Sequence, residues 1–378
     1  MTGFTFHTPP KIVFQWGAAA QLPAEASALG RRPLLVCGRS LRTSGKLDAI
    51  LSSLRAAGLE PSVHEGVPAE PDLIALQACM EAAAGCDSVI AIGGGSVLDI
   101  AKGGAALSDT GAMAAEYFAG KPVPETGKPL LALPTTSGTG SEVTWVCVLV
   151  DHETRRKASI RGPGMMPRVA IVDPELTVTC PPTVTAYSGA DAFVQAIESF
   201  TSRGANPLTD ALALEAAKLT ALWLERAVRE PENREARQGM ALGSMMAGIA
   251  LNTSRLGLVH GLAHPIGAVT GAAHGLLCGL LMPPVMRFNR DAAGAKYARL
   301  AAELGLHVPG GEDGTAALIR FTEELLERVG IPLRLSAIGF NPNDLDWIAQ
   351  ETMPSGSTKA NPRVVNVESA RAVAFSCL

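Results

Sequence analysis

The chain has 378 residues, 47% of them hydrophobic, 18% charged and 4% aromatic, with a net charge of −4. That length exceeds one typical core and points to two domains. With few aromatics, the cores must be filled by Ala, Leu, Val and Ile, which suits helices and buried parallel strands. Neither sign of charge forms a run of five or more, so nucleic acid and an anionic membrane surface are excluded as partners.

The segment from Met1 to His7 has neither a basic nor an apolar leader character, and no window of about eighteen residues is free of charge or turn formers. A cytoplasmic protein is expected. The seven cysteines (37, 79, 86, 147, 180, 278 and 377) are odd in number and form no Cys-x-x-Cys pair. Neither a disulfide framework nor a thiolate zinc site is indicated, and each reads as a buried small apolar residue.

From the N-terminus to about residue 180, short apolar runs alternate with Ala-rich, helix-periodic stretches. The runs are Leu34–Cys37, Ser88–Ile92, Leu130–Leu133 and Val169–Val172. Strands alternating with helices predict an α/β domain with a mostly parallel, Rossmann-like sheet. Beyond Pro181-Pro182 the β-branched runs stop, and amphipathic patterns over 208–228 and 234–251 predict an all-α second half. The domains are therefore placed at 1–180 and 181–378, with the proline pair as the boundary.

Two loops in the first half have the chemistry of a nucleotide site. Gly93-Gly94-Gly95-Ser96 follows a strand and opens a helix, where bare glycines and unpaired amides suit a diphosphate. Ser96 with Asp99 has the spacing of a capping box. The second loop, Thr135-Thr136-Ser137-Gly138-Thr139-Gly140-Ser141-Glu142, leaves the end of the next predicted strand, the edge on which open α/β sheets bind ligands.

The second half carries His260, His264 and His274, three of seven histidines within fifteen residues. His260 and His264 are four apart on one predicted helix face, as are Asp191 and Gln195. With Asp191 on another helix, the cluster points to a polar site able to hold a metal.

These motifs, in order, resemble the iron-containing (group III) alcohol dehydrogenase family, of dehydroquinate synthase-like fold. The resemblance runs through Gly93–Lys102, Pro134–Thr144, Asp173–Leu176, Gly189–Ala192, His260–Gly267, His274-Gly275 and Asn361–Arg363, and so spans nearly the whole chain. It implies an NAD- or NADP-dependent alcohol dehydrogenase or aldehyde reductase acting on a small alcohol or carbonyl substrate. It also implies a homodimer, to which the segment Phe4 to Trp16 would lend a strand. Gly94, Gly95 and Ser96 would bind the cofactor diphosphate, with Asp99 and Lys102 in the helix behind them, and Thr135, Thr136 and Thr139 would lie beside the nicotinamide. Fe2+ or Zn2+ would sit on Asp191, residue 195, His260 and His274. His264 would serve the substrate and nicotinamide rather than the ion.

Two positions depart from that pattern. Residue 195 is Gln195, a poorer ligand than imidazole. Either Asp191, His260 and His274 hold the ion without it, or a metal-free site uses Gln195 and His264 as donors to the substrate oxygen. After the first strand stands Gly38-Arg39-Ser40 in place of an acidic residue, leaving room for the 2′-phosphate of NADP. Arg255 and Cys278 flank the cluster and read as a rim residue and a packing residue. The alternative activities are a maleylacetate-reductase-like oxo-acid reductase and a cofactor-binding scaffold without turnover.

Overall fold

A computed structural model describes residues 3–310 and 312–378. The chain forms two compact units, Thr8–Thr179 and Cys180–Leu378, with residues 3–7 belonging to the second.

The first unit contains strands β1 (Lys11–Phe14), β2 (Pro33–Cys37), β3 (Ser62–Glu65), β4 (Ser88–Gly93), β5 (Leu130–Pro134), β6 (Val146–Asp151), β7 (Arg156–Arg161) and β8 (Val169–Val172). Its helices are α1 (Leu22–Ser27), α2 (Arg39–Thr43), α3 (Lys46–Ala56), α4 (Leu73–Ala83), α5 (Gly95–Leu107) and α6 (Ala114–Phe118). Six strands make one all-parallel sheet in the order β1-β8-β5-β4-β2-β3, and β6 and β7 make an antiparallel hairpin. The order reverses between β2 and β4, and such a switch point is where α/β sheets bind ligands at their carboxyl edge.

Alternation along the strands explains why helices cover both faces. Val36, Ala91 and Ala132 face one core with Leu76 of α4 and Ile100 of α5, while Leu35, Ile92 and Leu133 face another with Leu47 and Leu54 of α3. The four apolar runs predicted as strands are β2, β4, β5 and β8. The segment Phe4 to Trp16, expected as an intersubunit strand, contributes β1, which pairs in parallel with β8 of its own chain.

The second unit is built from α7 (Pro182–Thr201), α8 (Pro207–Arg229), α9 (Arg234–Ser254), α10 (Leu258–Thr270), α11 (His274–Glu303), α12 (Gly314–Arg328), α13 (Leu345–Thr352), α14 (Gly356–Ala360) and α15 (Val367–Phe375). The proline pair opens α7, with Pro181 at the cap and Pro182 in the first turn, where a missing amide costs nothing. Phe193, Ile197 and Phe200 of α7 are fully buried in a core shared with α8, α11 and α12. Among the described residues, no helix is long and apolar enough to cross a membrane.

Candidate functional site

Three loops leave the carboxyl ends of neighbouring strands in the first unit. Cys37 of β2 lies opposite Ile92 of β4, and Gly93 of β4 lies opposite Pro134 of β5. Residues 38–40, 93–96 and 135–142 therefore share one edge. The second and third loops touch, because Thr135 donates its amide to the Gly93 carbonyl at 2.9 Å. A Cβ on Gly95 would come within 2.6 Å of the Thr139 side chain, so only glycine lets the two loops approach this closely. No side chain caps the start of α5, where Gly94 is the N-cap, and such an end fits a diphosphate. Ser137 Oγ in the third loop is buried without a hydrogen-bond partner among the described residues. That orphaned hydroxyl fits a ligand that reaches this edge.

The capping box expected from Ser96 and Asp99 does not form. Ser96 donates its hydroxyl to the Ala69 carbonyl, and Asp99 faces the protein interior. Its carboxylate accepts from Ser141 Oγ and from the Val148 amide at 2.8 Å, and it pairs with Lys102 at 3.0 Å. Lys102 is fully buried and also donates to Thr144 Oγ1 and to the Val146 carbonyl. Both residues, placed with the cofactor from sequence, are thus engaged in pinning α5 to the loop and hairpin beside it. Arg39 and Ser40 are exposed in the first turn of the short helix α2, and Gly38 is its cap.

In the helical unit, Asp191, Gln195 and Glu198 lie at i, i+4 and i+7 on one face of α7, and all three are buried. His260 is in the first turn of α10, and His274 is the first residue of α11. The start of α11 comes so near α7 that a Cβ on Gly275 would sit 2.0 Å from the Tyr187 carbonyl oxygen, which explains why glycine follows His274. The start of α10 is held by distant side chains. The Leu258 amide donates to Asn361 Oδ1 at 3.1 Å, and the Val259 amide donates to Glu198 Oε1 at 2.8 Å.

The other oxygen of Glu198 faces His260 Nδ1 at 2.7 Å. If Nδ1–H donates to that carboxylate, Nε2 is left as an acceptor toward Asp191 Oδ1, only 3.2 Å away. Two acceptors that close require a cation, either a proton or a metal ion. His274 Nε2 is 4.0 Å from the same Asp191 oxygen, and Cys278 Sγ lies 3.5 Å from His274 Nε2 and 3.8 Å from His260 Nε2. The donor atoms of Asp191, His260, His274 and Cys278 all fall within 4.8 Å of one another, a set that fits a divalent ion.

Without an ion, burial opposes charge on His260, but Cys278, Asp191 and Glu198 outweigh it and raise the imidazole pKa well above its ordinary value. Burial likewise opposes ionisation of Asp191, yet the His260 hydrogen bond and the nearby histidine charges keep its carboxyl below the usual range. Burial pushes the Cys278 thiol up to about 12.

Gln195 donates its amide to Asp191 Oδ2 at 3.0 Å, and its carbonyl oxygen is buried without a hydrogen-bond partner among the described residues. His264 is half-buried one turn beyond His260 on α10, its ring centroid 5.4 Å from that of His274, and it is outside the converging donor set. Arg255 is exposed at the end of α9 with φ 68 and ψ −177, a backbone region that favours glycine. Cys278, read as packing from sequence, stands among the donors. Glu198 escaped the sequence reading altogether, although its place on the Asp191 and Gln195 face was a usable signal.

A glycine-rich turn and a Thr-rich loop on a parallel sheet edge, followed by an Asp/His donor set in a helical unit, define a dehydrogenase of the dehydroquinate synthase-like fold. Residues 9–174 match the family described as "Iron-containing alcohol dehydrogenase", and residues 185–375 match "Fe-containing alcohol dehydrogenase family, C-terminal". The chain is 33% identical over 368 residues to an NAD-dependent methanol dehydrogenase of Bacillus methanolicus, covering 96% of this chain and 97% of that one. It is 35% identical over 362 residues to a lactaldehyde reductase of Escherichia coli, covering 94% of each. The crystal structure of a 1,3-propanediol oxidoreductase aligns over 100% of both chains at 32% identity, with a TM-score of 0.93. The chain belongs to the iron-containing alcohol dehydrogenase family. It is an oxidoreductase acting on CH–OH groups and the corresponding carbonyls.

Proposed function

We propose that this chain interconverts a small alcohol and its carbonyl product with NAD or NADP as hydride carrier and with a divalent ion, Fe2+ or Zn2+, on Asp191, His260 and His274. The observation that carries the reading is the approach of His260 Nε2 to Asp191 Oδ1 at 3.2 Å while Glu198 occupies the other ring nitrogen. When bound, the ion supplies a Lewis acid toward the substrate oxygen and the dinucleotide supplies or takes the hydride.

The chain's own residues set up that chemistry. Glu198 fixes the tautomer of His260 so that Nε2 is the donor, and Gln195 steadies the second oxygen of Asp191. His264, half-buried and outside the donor set, is assigned to move a proton between the reacting oxygen and solvent. Gly94, Gly95 and Ser96 are assigned to the diphosphate, and Thr135, Thr136 and Thr139 to the nicotinamide side. Gly38, Arg39 and Ser40 place no carboxylate against a 2′-phosphate at the end of β2, so both dinucleotides are accepted in this reading.

A homodimer in the cytoplasm completes the reading, supported by β1, which is an edge strand of its sheet. The test is net NAD(P)H oxidation against a panel of small aldehydes and oxo acids. Turnover of simple aldehydes is expected. Turnover confined to oxo acids would favour a maleylacetate-reductase-like activity, and cofactor binding without turnover would leave only a scaffold.

A further inference from the structure

The family's donor pattern has an imidazole where this chain has Gln195, so one coordination position needs another occupant. His274 opens α11 and Cys278 stands one turn later, so the two share a helix face. The thiol is fully buried, and its sulfur faces two imidazole nitrogens, at 3.5 Å and 3.8 Å.

Tetrahedral coordination with metal–nitrogen and metal–oxygen bonds near 2.0 Å and a metal–sulfur bond near 2.3 Å separates neighbouring ligand atoms by about 3.3 to 3.6 Å. Four of the six separations among these donor atoms, 3.2 Å, 3.5 Å, 3.8 Å and 4.0 Å, lie around that range, and all six are within 4.8 Å. Gln195 turns its amide nitrogen to Asp191 Oδ2, and its carbonyl oxygen is buried without a hydrogen-bond partner among the described residues.

We propose that Cys278 is the fourth metal ligand, taking as a thiolate the position that residue 195 fills with histidine in the family, while Gln195 remains outside the coordination set and orients Asp191. The inference rests on the metal-centre reading above and names one more of its ligands. On binding, the thiol proton passes to solvent and a sulfur lone pair forms the metal–sulfur bond, with no change in oxidation state. The carboxylate and thiolate together neutralise a divalent ion, and the soft sulfur donor tilts the site from iron(II) toward zinc.

The test is cobalt(II) substitution of the full chain, read by near-ultraviolet sulfur-to-cobalt charge-transfer absorption and by cobalt content. The wild type should bind about one cobalt per chain with that band. Cys278→Ser and Cys278→Ala should lose the band and bind cobalt roughly tenfold or more weakly. X-ray absorption at the zinc edge on the wild type gives an independent check that needs no variant, with one sulfur expected at about 2.3 Å. Stoichiometric cobalt without a charge-transfer band, or zinc without a sulfur neighbour, would overturn the role of Cys278 and leave the metal centre intact. Failure of the wild type to bind cobalt or zinc would overturn both this inference and the metal-centre reading.

Discussion

The sheet edge of the first unit and the donor set of the helical unit are built in opposite ways. At the edge, each loop is a contiguous string of residues placed by the strand before it, and the register Gly93 opposite Pro134 brings two such strings together. The donor set has no contiguous element. Asp191, His260 and His274 come from the middle of α7 and the starts of α10 and α11, and remote side chains, Glu198 and Asn361, hold α10 in place. Binding by backbone and glycine can therefore be read from local sequence, whereas binding by converging side chains depends on packing.

The sharpest way to break that contrast is His260→Ala. Losing this donor should cost about a thousandfold or more in turnover and empty the site of metal, while dinucleotide affinity measured by fluorescence titration stays within about twofold. A parallel loss of dinucleotide binding would mean that the two regions are not separable.

Next in size is a pH effect confined to the first unit. Glu142, 3% exposed, is driven up to about 7 by burial, against the opposing pull of its own backbone amide and Lys102. Between about pH 4.5 and 7 the folded state holds a proton that the unfolded chain releases, so stability falls as pH rises, by roughly 3 kcal/mol in all. Glu142→Gln should flatten that slope in denaturant titrations. An unchanged slope would contradict the assignment.

Glu198→Gln comes third. Its amide can still accept from Val259 but no longer anchors the His260 ring as an anion, so metal affinity should fall by about 10- to 100-fold, as competition with a chelator would report. At the other region, Gly95→Ala places a methyl against Thr139, and dinucleotide affinity should drop by roughly tenfold with metal content unchanged. The smallest effect is Arg255→Gly, which relieves the positive φ and should raise the unfolding free energy by about 1 kcal/mol or less.

How much of this was legible in the sequence follows the same division. The four apolar runs read as strands are strands, because a core strand buried on both faces needs only a short local apolar run. The capping box at Ser96 and Asp99 was misread, because its spacing is local whereas two partners of Asp99, Ser141 and Val148, are more than forty residues away. The i, i+4 spacing of His260 and His264 could not by itself separate the two roles that the family resemblance assigns them, since helical spacing cannot tell that His274 comes within 4.0 Å of an Asp191 oxygen from another helix. Cys278 looked like packing for the same reason. A thiol among Leu and Gly in sequence comes beside the Asp191, His260 and His274 side chains only when α7, α10 and α11 close around it.

The central claim is that this chain builds a metal site even though residue 195 is glutamine. Elemental analysis of protein purified without chelator or oxygen tests it most directly. The account predicts about one divalent ion per chain, zinc in preference to iron, and none in His260→Ala. A wild-type chain that stays well below one ion per chain after reconstitution with zinc and iron(II) would contradict it.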